Sequence, residues 1–199
     1  MGRNLAKLIS YVTSAPLIAI YNIPIICLKE QNCLVASLIA FLFLTFFPVA
    51  PIIHDARKGK TDIFVAQRGK RLKFFTLTII NHFIGFLLSL FFKLKVLPLY
   101  ILCYFTVTLT ILVITLKWKI SVHTAGVAGP VTFIVLFFGF AYSLLYLLLI
   151  PVAWARLKMK AHTRAQVILG AVVAVLVTFL TVKCSEIGTN TLLLEIARN

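Results

Sequence analysis

Residues 124–155 read TAGVAGPVTFIVLFFGFAYSLLYLLLIPVAWA and contain no charged side chain. As one straight helix this run would be about 45 Å long, against a hydrocarbon core of about 30 Å. It therefore tilts strongly or folds back on itself. Gly139, in FFGFAYS, is the residue suited to a turn. A break there predicts a hairpin of two helices near 124–139 and 142–156. Each arm would be only about 22–24 Å long, so the shared ends would sit slightly below the headgroups. The hairpin brings residues 120 and 160 to the same membrane face; a single tilted helix separates them.

The rest of the chain resembles this stretch in composition. Of 199 residues, 61% are hydrophobic and 17 are Phe, and the mean hydropathy is +1.05. Soluble domains carry roughly 45–50% apolar residues, so the composition is that of an integral membrane protein. Clear spans are predicted at 34–53, 74–92, 96–116 and 166–183. With the hairpin they make an all-α bundle of six transmembrane helices over residues 31–199. Residues 1–30 precede it. There Pro16 and Pro24 break an apolar run headed by Arg3 and Lys7. We read this segment as a helix lying in or partly inserted into the interface, with a seventh span as the alternative. The four Cys (27, 33, 103, 184) show no CxxC spacing and indicate neither a disulfide framework nor a zinc site.

A net charge of +15 would ordinarily suggest nucleic acid. Here the cations sit in short loops between apolar runs, which excludes nucleic acid and points to lipid headgroups or anionic substrates. Loops 54–73, 117–123 and 156–165 hold 13 of the 20 Lys and Arg. Their side of a multi-pass cell-membrane protein is expected to be cytoplasmic. Cations recruited for phosphate would inflate the same count.

Two of these loops carry chemistry-bearing residues. One is Lys117-Trp-Lys119-Ile-Ser121-Val-His123, and the other runs from Arg156 through His162 to Gln166. Each leads into a helix, whose free N–H groups and positive dipole end suit an anion. Arg grips phosphate bidentately, a neutral His can attack phosphorus, and a second His can protonate the departing oxygen.

The spacing Arg156-x5-His162-x3-Gln166 resembles the signature Ser-Arg-x5-His-x3-Asp of the type 2 phosphatidic acid phosphatase superfamily. Ser121-Val-His123-Thr124 resembles that superfamily's Pro-Ser-Gly-His. The resemblance covers roughly residues 34–183 and implies a metal- and cofactor-independent phosphatase. In it His162 would be the nucleophile, His123 the general acid, and Arg156 and Ser121 phosphate ligands. Ala155, Ile120 and Val122 depart from the signatures, and Gln166 replaces the Asp that polarises the nucleophile. A third signature, Lys-x6-Arg-Pro, is missing as such; Lys60 and Arg68 supply a looser version, and Lys119 a substitute for its lysine.

Plainer readings accompany each residue. Arg156 and its neighbours also suit an interfacial anchor. Thr163-x-x-Gln166 is a capping box, so Gln166 serves the helix end, His162, or both. The small residues Ala125, Gly126, Ala128 and Gly129 suit close helix packing better than a phosphate loop. Asn81 and His82 lie two turns inside a span, where a structural interhelical bond competes with function. Asp62, in the basic run 57–73, is expected to pair with a neighbouring cation. The expected activity is hydrolysis of a lipid phosphate or diphosphate, isoprenoid or phosphatidic-acid-like. The alternative is a catalytically degenerate binder or scaffold for such a lipid. A transporter has little support, with few buried charges and no inverted repeat.

Overall fold

The computed structural model describes residues 2–188, which form eight helices arranged as an all-α membrane bundle. They are α1 (Gly2–Val12), α2 (Ala15–Cys27), α3 (Cys33–Arg57), α4 (Arg68–Phe91), α5 (Leu97–Lys117), α6 (Val122–Phe138), α7 (Phe140–Lys158) and α8 (Arg164–Gly188). Helices α3, α4, α5, α7 and α8 are each long and apolar enough to cross a membrane. Their outward faces carry exposed Leu, Ile, Val and Phe, such as Leu34, Phe83, Val113, Ile150 and Leu176. A continuous apolar exterior suits lipid as its solvent.

The hairpin forms as the sequence predicts. Gly139 adopts φ 113° and its N–H caps α6 on the Val135 carbonyl. Without a Cβ it occupies this backbone region freely. The two arms differ, however. Residues Phe140–Leu148 are a 3₁₀ helix, and Leu149–Lys158 continue as α-helix. The 3₁₀ rise of about 2.0 Å per residue stretches α7 to roughly 33 Å, whereas α6 spans about 25 Å. The longer arm faces outward, with no residue of its 3₁₀ part fully buried. It is tied back through Thr132 and Tyr146, whose hydroxyls lie 2.7 Å apart. By contrast α6 is the central helix, buried without interruption from Thr124 to Ile134.

The N-terminal segment is two helices rather than one, bent by 53°. Ser14 is extended and Pro16 starts α2, its ring supplying helical φ where no N–H is needed. Helix α2 runs inside the bundle. A Cβ on Gly126 would come within 2.3 Å of the Ala15 Cβ, so only glycine lets α2 and α6 approach this closely. Deeper in, Asn22 Nδ2 donates to the Tyr100 hydroxyl at 3.0 Å. The far end of α2 is joined to α3 by a Cys27–Cys33 disulfide, with Cα atoms 5.1 Å apart, which corrects the reading of four unpaired cysteines. Residue spacing alone could not show it, because the pair meets only once α2 inserts antiparallel to α3. The loop it closes holds Glu30, whose carboxylate accepts the backbone N–H groups of Lys95, Val96 and Leu97 at 2.6–2.8 Å. Glu30 thereby satisfies the donors at the start of α5.

Within α3, residues Phe41–Phe46 form a widened π-helical stretch directly before Pro48, which cannot donate to the ladder. Helices α4 and α5 pair along their lengths, as do α6 and α8. Helix α1 packs against α7 at the end of the bundle that carries loops 58–67, 118–121 and 159–163. This is the end opposite the disulfide. It therefore also takes Arg3 and Lys7, which raises its share to 15 of the 20 Lys and Arg.

Candidate functional site

The two motif loops are joined by direct hydrogen bonds. Ser121 N–H donates to the Gln166 carbonyl at 3.2 Å, and Thr124 Oγ1 donates to the Val167 carbonyl at 2.9 Å. Close approach again needs glycine, since a Cβ on Gly170 would lie 2.5 Å from the Ser121 carbonyl oxygen. After α7 the chain reverses tightly. Met159 N–H bonds the Ala155 carbonyl, Lys160 takes a left-handed φ of 52°, and Ala161 N–H returns to the Arg156 carbonyl. A non-glycine residue in that region stores some strain. The reversal carries His162 back beside Arg156.

The capping box forms in full. Gln166 N–H donates to Thr163 Oγ1 at 3.3 Å, and Gln166 Oε1 accepts Thr163 N–H at 3.2 Å. The same Oε1 lies 3.1 Å from His162 Nδ1. Because an amide oxygen only accepts, Nδ1 carries the proton, and the lone pair falls on Nε2. Gln166 thus fills both roles that its sequence left open. His162 is 7% exposed. Burial first, then the charges of Arg71 and Arg156, push its pKa down to about 3, with the Gln166 bond opposing.

Around His162 lie His123, Arg156, Arg71 and Lys119, close enough that each acts electrostatically on others of the group. Arg156 is 2% exposed. It donates from Nη1 to Ser10 Oγ at 3.2 Å, and its guanidinium lies 5.2 Å from the Phe64 ring centre. Phe64 also contacts the His123 ring at 5.6 Å and the Tyr11 ring at 4.8 Å. Arg71 is buried and held by the Val65 and Ile120 carbonyls, at 2.8 and 3.1 Å. Lys119, half-buried, has its pKa lowered by burial and then by Arg71 and Arg156. Three nitrogens of this cluster are buried with no hydrogen-bond partner among the described residues: His123 Nε2, Arg156 Nε and His162 Nε2. Buried polar atoms are nearly always paired, so three open ones in one cationic cluster suit an oxyanion ligand.

Not every residue read from the sequence joins the cluster. His123, Arg156, His162, Gln166 and Lys119 do. Ser121 is fully buried and spent as the N-cap of α6, its Oγ accepting Thr124 N–H at 3.4 Å. Lys60 and Arg68 are exposed, and Arg68 donates to the Lys117 carbonyl. Arg71, one turn further into α4, is the cation turned inward. Asp62 forms no ion pair among the described residues, which corrects the expected pairing, although it acts electrostatically on Arg71, Lys119 and Arg156. Its carboxylate accepts the N–H groups of Phe64 and Ala66, both at 2.8 Å, and shapes the loop that presents Phe64. Asn81 and His82 lie apart, with the His82 ring edge-on to Tyr104 at 5.7 Å. Sequence reasoning missed Arg71, Phe64, Tyr11 and Ser10. Only Phe64, an aromatic inside a basic loop, carried a signal that could have marked it.

Comparison with family models, with curated proteins and with solved structures finds no match to this chain.

Proposed function

We propose that the protein is a membrane phosphatase that hydrolyses a lipid phosphate or diphosphate through a phosphohistidine on His162. One observation carries the reading. The Nε2 of His162 is open and neutral, its Nδ1 is fixed by Gln166, and it stands with the open Nε2 of His123 and Nε of Arg156 among cations. In the first step the His162 Nε2 lone pair bonds to phosphorus and the P–O bond to the lipid breaks. The departing oxygen takes a proton from His123. Water then attacks the phosphohistidine, His123 takes the water's proton, the N–P bond breaks and phosphate leaves. Arg156, Arg71 and Lys119 balance the phosphoryl charge throughout. A substrate bearing anionic charge also offsets these cations and lets His123 hold the proton it delivers. The scheme needs no cofactor.

A lipid substrate fits the position of the site at one end of an apolar-faced bundle, where a headgroup can reach the cations while its tail stays in the bilayer. The cation bias of that end and the disulfide at the other both favour a cytoplasmic site, since disulfides persist outside the reducing cytosol. Gln166 also favours a second reading, a lipid-phosphate binder without turnover, because an uncharged amide stabilises the imidazolium less than a carboxylate does. Purified protein in vesicles, given a short-chain lipid phosphate labelled with ³²P, separates the two. Phosphate release with acid-labile label trapped on His162 supports the phosphatase. Saturable binding without release supports the binder.

A further inference from the structure

We propose that Ser10 of the N-terminal helix is a positioning residue for Arg156, which makes α1 part of the anion site rather than a membrane anchor beside it. The proposal rests on the phosphate-binding reading above. Ser10 and Arg156 are both buried, at 0% and 2% exposure, and 146 residues apart in sequence. The Arg156 guanidinium has five N–H groups to place. Nη1 donates to Ser10 Oγ at 3.2 Å, while Nε stays buried and open. For Ser10 to accept, its own proton must go elsewhere. It points to the Met159 sulfur at 3.5 Å, on the turn that returns the chain to His162. The hydroxyl therefore links α1, the end of α7 and the turn to His162, and fixes which edge of Arg156 faces the site.

The next residue reinforces this. Tyr11 packs on Phe64, and Phe64 supports both the Arg156 guanidinium and the His123 ring. The Ser10 backbone also approaches the His123 ring. Two consecutive residues of α1 thus brace the arginine and both histidine-bearing loops. What keeps α1 in register is the contact of α2 with the central helix, where Ala15 sits against Gly126 with no room for a side chain. The outward residues of α1, Leu5, Leu8 and Val12, are exposed and give it an apolar outer face suited to lipid. One short helix therefore faces the bilayer on one side and Arg156 on the other.

The test uses the full chain in lipid nanodiscs, with orthovanadate as the phosphate analogue and a short-chain lipid phosphate as substrate. Ser10→Cys keeps the side-chain shape at a slightly larger volume and Ser10→Ala at a smaller one, and both weaken or remove the acceptor, so an effect shared by the two reports the hydrogen bond rather than the packing. We expect Ser10→Cys and Ser10→Ala each to weaken vanadate binding and raise KM by roughly tenfold, the size of one bond to a charged group. Because Arg156 holds the phosphoryl group before and during reaction alike, kcat should change less than about twofold. In an Arg156→Lys background, Ser10→Cys should have no further effect on vanadate affinity. Wild-type affinity in Ser10→Cys, or an equal loss in the Arg156→Lys background, overturns the proposal. Vanadate binding without turnover by the native chain sinks the phosphatase reading alone and still reports on Ser10. No vanadate binding at all overturns both.

Discussion

The two ends of the bundle treat polar groups in opposite ways. At the disulfide end Glu30 and Lys29 each have a structural task. Glu30 takes three backbone N–H groups at the start of α5, and Lys29 donates to the Phe137 carbonyl while lying against two phenyl rings. At the other end, two imidazole nitrogens and a guanidinium nitrogen are buried and open, beside Arg71 and Lys119. No described carboxylate forms an ion pair with Arg71, Arg156 or Lys119. A satisfied cap stabilises the fold, whereas gathered cations, offset only in part by the nearby Asp62 carboxylate, cost stability that an anionic ligand would recover. Substitutions at the disulfide end should therefore change melting and spare ligand affinity, and those at the site end should do the reverse.

The largest expected effect is at the site end. His162→Ala should lower turnover by about 1,000-fold or more and remove the trapped phosphoenzyme. Its melting temperature should change little, since losing an open buried nitrogen offsets the lost Gln166 bond and packing of the ring. His123→Ala should slow turnover too, but a substrate with a good leaving group should partly rescue its first step. Rescue in His162→Ala, with none in His123→Ala, would reverse the two roles.

At the disulfide end Glu30→Ala strands three N–H groups, and we expect a loss of about 2 kcal/mol in thermal unfolding. Vanadate affinity should stay within twofold; a matching loss would mean that the ends are coupled. Breaking the disulfide with Cys27→Ser and Cys33→Ser together should cost about 2 kcal/mol or somewhat less, because the loop it closes is short. A loss of affinity in that variant would again break the contrast between the ends.

How far each end could be read from sequence follows the same division. Gly139 was legible because it is the one glycine near the middle of a long uncharged run, Gly126 and Gly129 lying close to its start, and the capping box Thr163–Gln166 because both partners lie within four residues. The stretched 3₁₀ arm was not, since Phe140–Leu148 is almost wholly apolar, with only Ser143 and the two tyrosine hydroxyls to interrupt it, and signals no change of pitch. Arg71 hid among the seven cations of residues 57–73, where only the packing of α4 against the 118–121 loop decides which one turns inward. Ser10 looked like any small residue in an apolar helix. Its role depends on a contact across 146 positions. Local chemistry was readable, and what depended on the insertion of α2 was not.

The smallest expected effect concerns Gln166, which serves the helix end and His162 with one oxygen. Gln166→Asp keeps an acceptor for both and adds a charge that favours the imidazolium forming as His162 bonds to phosphorus. The rate at neutral pH should rise by about tenfold. Its pH dependence carries a sign. On the proposed mechanism attack needs neutral His162, whose pKa of about 3 would leave it available well into the acidic range. The new carboxylate raises that pKa, so the acid limb of kcat/KM should move to higher pH, and the gain should shrink as the solution is acidified. Gln166→Leu should lower activity, because Nδ1 loses its acceptor and the ring its fixed tautomer. Equal rates and identical acid limbs in all three proteins would reduce Gln166 to a helix cap, and His162 would then be oriented only by the turn that carries it.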